Sequence, residues 1–413
     1  MTAHSQRAHA KLSPSASHRW MECPGSIRMS EGIPSTSSAF ADEGTAAHEL
    51  AAYCMENGYN AERFAGWWVN IDGKKTSQKF LETDEEATAV KARVFEVDDE
   101  MVESVQVYLD YLRSHIKPDD EVDVEFRFDL THVADGMFGT GDCVIYQPEK
   151  RHLIVADFKY GRGVAVDPDD NPQLLSYGLG AIKRHGNRPL ATVSLVVVQP
   201  RCRHPAGPVR EWGTDVFGLF EFEEKLRAAA LATAEPHAPL NAGDWCRFCP
   251  AAAICPAYSA KVDEIAELQF SGSGSDPATM TPEALSAALD KVGIVETWAN
   301  RMRGYAHDQA MSGISIPGWK LVEKRAIRKW RDEAEASAWL ATQHDLGDED
   351  IFEKKMRSPT EIEKLMPGSN KEKRAAVLAP MTTKQSSGAV LVPATDKRPA
   401  IKSDGSEFGD ATV

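Results

Sequence analysis

The sequence predicts an α/β protein with a mixed central sheet flanked by helices. Residues 121–130 alternate apolar and polar side chains, as in a strand with one wet face, whereas 153–159 and 192–199 are mostly apolar, as in buried strands. Between the two buried runs, residues 167–172 offer Asp or Asn as an N-cap and Pro in the first turn of a helix. Strands and helices in this order indicate a layered α/β core.

Further helices and a linker are predicted around this core. The sequence favours a helix over residues 42–53, a longer one over 85–115 and another over 218–234. The Ser- and Gly-rich residues 271–277 are typical of a linker. Residues 281–311 then predict a helix that begins with Thr-Pro-Glu as cap and first turn. We therefore expect a mainly helical C-terminal extension.

Two carboxylates and a lysine are expected to meet at the sheet. Asp142 lies in the strand-like run 139–146, and Asp157 and Lys159 close the next strand. Because side chains alternate along a strand, Asp157 and Lys159 point to one face while Phe158 points into the core. Such a group of charges suits a divalent metal and a phosphate. The alternative for a single Asp-x-Lys is a solvated turn at the end of a strand.

The order of the motifs is more informative than any one of them. Gln173 and Tyr177 lie one turn apart on the same face of the following helix. With them the chain resembles the PD-(D/E)XK nuclease superfamily and its RecB-like branch, which implies a restriction-endonuclease-like core. The resemblance covers four ordered motifs: Gly44 to His48, Gly139 to Asp142, Asp157 to Lys159, and Gln173 to Tyr177.

The resemblance also implies roles for these residues. Lys159 would orient or help deprotonate the attacking water and stabilise charge on the phosphate. For His48, the alternative is a histidine on a helix face with a structural hydrogen bond. Mg²⁺ or Mn²⁺ would be held by His48, Asp142, Asp157 and the backbone carbonyl of Phe158. The catalytic set would be Asp142, Asp157 and Lys159, with Gln173 and Tyr177 positioning the DNA strand or the lysine.

Three cysteines have the spacing of a ligand set. Cys246, Cys249 and Cys255 form a C-x2-C-x5-C pattern, which needs a fourth thiolate to close a tetrahedral or cluster site. Cys23 shares the Cys-Pro context and is the preferred fourth ligand, with Cys202 in reserve. Structural Zn²⁺ is the alternative that chemistry alone leaves open.

The same resemblance favours iron over zinc at these cysteines. AddB-type helicase-nucleases and CRISPR-associated RecB-like exonucleases hold a [4Fe–4S] cluster with one cysteine ahead of the nuclease core and three after it. Such a cluster would staple the two ends of the nuclease domain across more than two hundred residues. We expect it to be structural, since four thiolates leave no open position for a substrate.

Composition limits the class of protein. Seven cysteines in 413 residues, with no secretory signal apparent, predict a reducing cytoplasm. The resemblance implies that this is the cytoplasm of a bacterium or a phage-infected cell. No apolar run approaches the roughly 18–20 residues that cross a bilayer. The net charge of −15 argues against general attraction to nucleic acid. A local basic strip or a partner must therefore supply any affinity for DNA.

The predicted function is metal-dependent hydrolysis of DNA phosphodiesters. The resemblance implies an exonuclease acting on single-stranded DNA or on free DNA ends. The chain contains no Gly-x-x-x-x-Gly-Lys-Ser/Thr motif for ATP-driven unwinding. It resembles stand-alone nucleases of phage or prophage replication and recombination, which act beside a single-strand-binding or annealing protein. The alternatives are a catalytically silent nuclease fold that binds DNA or acts as a scaffold, and a zinc-ribbon nucleic-acid-binding protein.

Four regions are expected along the chain. These are a nuclease domain with its iron–sulfur staple over residues 1–262, a linker over 263–280, a helical and basic accessory region over 281–385, and a flexible tail over 386–413. Within the third region, residues 318–331 combine two Trp with six Lys or Arg. That pattern fits single-strand binding by backbone attraction and base stacking, or a solvated face with its Trp packed inward.

Overall fold

The computed structural model forms two compact units, Met1–Ile294 and Val295–Val413. It describes residues 10–33, 38–90, 93–186, 188–270, 280–323, 327–344, 347–351, 377–385 and 389–393, together with single residues at 359, 362 and 366. No helix in these ranges combines the length and apolarity that a membrane span requires.

Helices and strands alternate through the first unit and continue into the second. The helices are α1 Ser17–Glu22, α2 Ser26–Met29, α3 Ala39–Asn57, α4 Thr76–Lys79, α5 Asp84–Ala89, α6 Asp99–His115, α7 Pro172–Arg184, α8 Val216–Ala234, α9 Pro256–Phe270, α10 Pro282–Met311, α11 Glu333–His344 and α12 Asp348–Ile351. The strands are β1 Trp68–Asn70, β2 Phe80–Leu81, β3 Val94–Glu96, β4 Glu121–Asp129, β5 Phe138–Gln147, β6 His152–Phe158, β7 Thr192–Val198, β8 Val209–Asp215, β9 Trp319–Glu323, β10 Ile327–Trp330, β11 Thr382–Gln385 and β12 Ala389–Pro393.

The first unit is built on a mixed five-stranded sheet in the order β4-β5-β6-β7-β8. Neighbouring strands are antiparallel except β6 and β7, which are parallel and are joined through α7. The predicted α/β class, with a mixed sheet flanked by helices, is confirmed. The strands expected over 121–130, 153–159 and 192–199 correspond to β4, β6 and β7. The N-cap before α7 is Asn171, whose side chain accepts hydrogen bonds from the backbone N–H groups of Gln173 and Leu174.

Both faces of this sheet are covered, which explains why β6 and β7 are mostly apolar. On one face, side chains such as Val155 pack with Leu174 of α7; we call this group of buried residues the α7 core. On the other face, side chains such as Ile154 pack with Leu109 of α6; we call this group the α6 core. Helix α8 contributes to the α7 core, and helix α3 contributes to the α6 core.

The helix predicted over residues 85–115 is wrong in its first half. Helix α5 ends at Ala89, and strand β3 over Val94–Glu96 pairs with β1 before α6 begins at Asp99. Asp98 caps α6 by accepting a hydrogen bond from the backbone N–H of Met101. A new N-cap inside the acidic run therefore starts a second helix, where composition had suggested one continuous helix.

The boundaries expected after residue 262 also shift. Helix α9 continues to Phe270, so the first part of the predicted 263–280 linker is helical. Residues 271–279 lie outside the described residues. The helix predicted over 281–311 is present as α10, and the first unit ends within it, at Ile294.

The second unit contains strands that the sequence analysis did not predict. Within it, β9 pairs with β12 and β10 pairs with β11, both antiparallel. Residues 389–393 were expected to belong to a flexible tail, but they form β12 because their Val-Leu-Val run suits a strand. The remainder of that predicted tail, 386–388 and 394–413, lies outside the described residues.

Candidate functional site

One cavity of about 630 Å³ collects the side chains of the predicted catalytic centre. Helix α3 supplies one of them, β5 and the end of β6 supply three, and the first turns of α7 supply two. Those brought together are His48, Asp142, Asp157, Lys159, Gln173 and Tyr177. The parallel crossover from β6 through α7 places the helix beside the strand that carries the Asp-x-Lys motif.

His48 and Asp142 form a close pair at this site. Nδ1 of His48 lies 3.2 Å from Oδ1 of Asp142, and the backbone N–H of Phe158 donates to Oδ2 of Asp142 at 2.7 Å. Burial lowers the pKa of His48, but the facing carboxylates outweigh it and raise that pKa to about 9. Burial raises the pKa of Asp142, but His48, Lys159 and the Phe158 N–H hold it at about 2. Both groups are therefore charged at neutral pH.

Asp157, Lys159 and Gln173 form a second, adjoining network. The Lys159 ammonium lies 2.9 Å from Oδ2 of Asp157 and donates to Oε1 of Gln173 at 3.1 Å. Nε2 of Gln173 donates to Oδ1 of Asp157 at 3.1 Å and to the hydroxyl oxygen of Tyr177 at 2.7 Å. Because Gln173 and Tyr177 are one helical turn apart, their side chains meet. The Gln173 amide carries both a donor and an acceptor, so it orients the Asp157 carboxylate and the Lys159 ammonium.

The charges of this network follow from burial and mutual contact. Burial raises the pKa of Asp157, and the neighbouring Asp142 carboxylate raises it further, against the opposing effect of Lys159. Burial lowers the pKa of Lys159, but Asp157 and Asp142 outweigh it, so the pKa is raised from its usual value. Lys159 is therefore a persistent cation at neutral pH.

Glu125 on β4 also belongs to the site. The strand pattern of 121–130 allows its carboxylate to approach the metal or to lie exposed at the sheet edge, and it favours the exposed position. Glu125 is instead half-buried and lines the cavity. One ligand atom each from His48, Glu125 and Asp142 lie within 4.8 Å of one another. These three donors fit a hard divalent cation. Only the register of β4 against β5 places Glu125 beside Asp142, and the sequence alone does not determine that register.

The predicted metal ligands Asp157 and Phe158 are placed next to this trio. Asp157 does not join the group of three within 4.8 Å, and its two oxygens face Lys159 and Gln173. The Phe158 N–H points toward Asp142 on β5. Because the N–H and C=O of one strand residue point to the same neighbouring strand, the Phe158 carbonyl also faces that side.

Basic side chains also line the cavity. Lys74, Lys75 and Arg127 are among its lining residues and are exposed. The Arg127 guanidinium lies over the ring of Phe138, 4.5 Å from its centroid. Lys79, in contrast, is buried against the carboxylate of Glu49. Exposed cations therefore line the cavity of a chain whose net charge is −15.

The four predicted cysteine ligands converge elsewhere in the first unit. Cys23, Cys246, Cys249 and Cys255 are all buried and line one small cavity. The backbone N–H of Asn241 donates to Sγ of Cys23 at 3.3 Å, which ties the segment before α2 to the segment that leads to the other three cysteines. Burial raises the pKa of Cys23 and raises that of Cys246 to about 11, and the neighbouring thiols add to both effects.

The spacing of the four sulfurs and the volume between them limit what the cysteine cavity can hold. No three of the four sulfurs lie within 4.8 Å of one another, since His48, Glu125 and Asp142 form the one such group found among the described residues. Four thiolates around one zinc, with bonds of about 2.3 Å, would lie only about 3.8 Å apart. The space between them is small, about 10 Å³.

The other cysteines lie apart from this cavity. Cys54 and Cys143 are buried in the α6 core, and the reserve candidate Cys202 does not line the cysteine cavity. In the basic stretch 318–331, Trp330 is buried in the second unit, whereas Trp319 is 46% exposed.

The comparison with known families covers nearly the whole chain. Residues 9–399 match a family described as a protein of unknown function, DUF2800. That description names no activity, so any function must be inferred from the residues of the site.

Proposed function

The chain belongs to the DUF2800 family of unknown function, and we propose that it is a metal-dependent deoxyribonuclease of the RecB-like PD-(D/E)XK type. The observation that carries this proposal is the convergence of the four ordered motifs on one cavity. They come from α3, β5, β6 and α7, over more than a hundred residues of sequence. Solvated turns would have no reason to meet in this way.

The donor set fits a divalent cation. His48 and Asp142 would hold it, with Asp157 and the Phe158 carbonyl alongside. When bound, Mg²⁺ or Mn²⁺ polarises the scissile phosphate and makes an attacking water more acidic. The imidazole of His48 suits Mn²⁺ better than Mg²⁺, which prefers oxygen ligands.

Lys159 supplies charge stabilisation in this scheme. Its ammonium is fixed between Asp157 and Gln173, at 2.9 Å and 3.1 Å. A lysine whose pKa is raised above its usual value is a poor base at neutral pH, so Lys159 would orient the water and neutralise the phosphate instead of taking up a proton. Gln173 and Tyr177 would hold Lys159 and Asp157 in this arrangement.

The expected substrate is DNA with a single-stranded region or a free end. The exposed Lys74, Lys75 and Arg127 that line the cavity offer phosphate contacts. Exonucleolytic action and a role in phage or prophage recombination follow from the resemblance to RecB-like nucleases. A separate single-strand-binding or annealing protein is the expected partner.

The second part of the proposal concerns the cysteines. We propose that Cys23, Cys246, Cys249 and Cys255 hold a structural [4Fe–4S] cluster, as the resemblance to RecB-like nucleases implies; their burial around one small cavity supports a shared ligand site. The cluster would join the segment around Cys23 to the segment before α9. Structural Zn²⁺ is the alternative.

Substitution of Asp157 tests the nuclease proposal. Asp157→Asn keeps the size of the side chain but removes the charge that fixes Lys159. We expect Mn²⁺-dependent degradation of end-labelled single-stranded DNA to fall by about 100-fold or more. Asp169→Asn, at an exposed position, is the matched control and should leave the rate unchanged.

A different result would favour the rival function. If the wild-type chain binds DNA ends but degrades no DNA with either Mg²⁺ or Mn²⁺, the catalytically silent scaffold is the better account. Equal degradation by the wild type and Asp157→Asn would show that the cavity is not the catalytic centre.

A further inference from the structure

Glu125 stands opposite Asp142 in the central sheet. Strands β4 and β5 pair with Val124 opposite Cys143 and Phe126 opposite Gly141. The position between those two pairs aligns Glu125 with Asp142. The two carboxylates therefore come from adjacent strands, and the imidazole of His48 reaches the same place from α3.

The backbone at Glu125 is held in a conformation that glutamate seldom adopts. Its φ of +50° lies in the left-handed region, which is unfavourable for a residue with a long side chain. The strand changes face there, since Val122 packs against the α6 core whereas Phe126 packs in the α7 core. In a regular strand these two side chains would share a face.

Glycine on the neighbouring strand makes this change of face possible. A Cβ atom at Gly141 would lie 2.3 Å from the ring of Phe126, and one at Gly139 would lie 2.4 Å from the ring of Phe128. The two rings therefore occupy space that any larger residue on β5 would fill. Both strands thus accommodate the change of face at Glu125: β4 through the left-handed backbone of Glu125, and β5 through glycines that leave room for the two rings.

The spacing of the three donors is compatible with the coordination shell of one cation. Nδ1 of His48 and Oδ1 of Asp142 are 3.2 Å apart, and all three ligand atoms fall within 4.8 Å of one another. For metal–ligand bonds of about 2.1 Å in an octahedral shell, neighbouring ligands lie about 3 Å apart and opposite ones about 4.2 Å apart.

We propose that Glu125 is a protein ligand of the catalytic metal, which binds between His48, Glu125 and Asp142. Asp157, alongside these three donors, also holds Lys159 and is itself oriented by Gln173. This inference rests on the proposed metal-dependent function. It adds a ligand that the four motifs do not contain, and it explains why a strained glutamate occupies this position.

Metal binding and stability together test the assignment. Mn²⁺ is titrated into the full chain and followed by Mn²⁺ electron paramagnetic resonance, and the metal-free chain is melted thermally. Glu125→Gln should weaken Mn²⁺ binding by about 10-fold or more. Glu125→Gly should weaken it similarly but raise the melting temperature of the metal-free chain, because glycine tolerates a φ of +50° without strain.

Glu56→Gln is the matched control. Glu56 lines the same cavity but does not belong to the group of three donors, so its substitution should change Mn²⁺ affinity by less than about twofold. A Glu125→Gln chain that binds Mn²⁺ as tightly as the wild type would overturn the assignment.

The outcomes separate this inference from the nuclease proposal. Mn²⁺ binding that depends on Glu125, in a chain that degrades no DNA, would support the ligand and refute the nuclease. Active degradation with Mn²⁺ affinity independent of Glu125 would support the nuclease and refute the ligand. No Mn²⁺ binding by the wild type would overturn both.

Discussion

His48 and Asp142 stabilise each other's charged forms inside the cavity. Their 3.2 Å separation, and the other carboxylates around them, leave the pKa of His48 at about 9 and that of Asp142 at about 2. A metal needs the same imidazole nitrogen without its proton. The metal-free site therefore carries a proton where the proposed cation would bind.

Metal affinity should for this reason rise with pH. Below pH 9 each Mn²⁺ that binds must displace the His48 proton, so we expect affinity to increase by up to about tenfold per unit between pH 6 and pH 8. Asp142, with its pKa of about 2, contributes nothing to this slope. Calorimetry in buffers of different ionisation enthalpy measures the released proton directly.

The control for this prediction is His48→Asn. It should bind Mn²⁺ more weakly and lose most of the pH dependence, since the titrating ligand is gone. Affinity that stays flat in the wild type from pH 6 to pH 8 would contradict a ligand role for His48.

Single residues differ in how far the sequence predicted them. Asp142, Asp157 and Lys159 were expected from alternation along two strands, and the cavity contains all three. For Glu125 the strand pattern favoured an exposed edge position over approach to the metal, because its position depends on the register of β4 against β5 across the connection between them. Strand alternation is lost at the left-handed Glu125, so period-two reasoning placed its carboxylate wrongly.

At the scale of elements, a glycine of α7 packs directly against strand β4. A Cβ atom at Gly180 would lie 2.3 Å from Cγ of Phe128 and 2.6 Å from its Cβ. Phe128 also meets the ring of Tyr177 edge-on, 5.4 Å between centroids. The contact between β4 and α7 therefore positions the helix that carries Gln173.

Gly180→Ala should destabilise the protein although alanine favours helices. We expect a loss of about 1–3 kcal/mol in the free energy of unfolding, since Cβ and Cγ of Phe128 belong to a buried strand residue that cannot withdraw. Gly293→Ala in α10, where no described atom lies within 4 Å of the new Cβ, should instead stabilise by up to about 1 kcal/mol. Urea denaturation compares the two, and an unchanged midpoint for Gly180→Ala would refute the close packing.

Elements were predicted best where one pattern dominated. The strands β4, β6 and β7 and the helix α10 follow from apolar periodicity and capping residues. The break between α5 and α6 was not predicted. The intervening β3 is stabilised by pairing with β1, and this non-local contact cannot be read from the local sequence of residues 90–98.

At the scale of the whole molecule, the fold brings together cations at the cavity and cysteines that are far apart in the sequence. The net charge of −15 coexists with a cavity that is lined by Lys74, Lys75 and Arg127. The acidic total therefore says little about the local field at the site. The cysteines likewise meet only because Cys23 and the segment before α9 fold together.

Loss of one cysteine ligand should remove the proposed cluster. Anaerobically purified wild type is expected to absorb broadly at about 400 nm and to contain iron, whereas Cys246→Ser should lose both and melt at a lower temperature. Cys202→Ser should retain the colour, because Cys202 does not line the cysteine cavity. A colourless wild type that contains zinc would replace the cluster with a structural zinc site.

The sequence by itself determined the α/β class, the four motifs with His48, Asp142, Asp157 and Lys159, and the cysteine spacing. These features follow from local periodicity and short spacings, which the chain carries in its own order. Only the tertiary structure decided that the motifs share one cavity and that Glu125 faces Asp142. Both depend on strand register and on helix-to-sheet packing, and such contacts between distant residues are fixed when both faces of the sheet are buried.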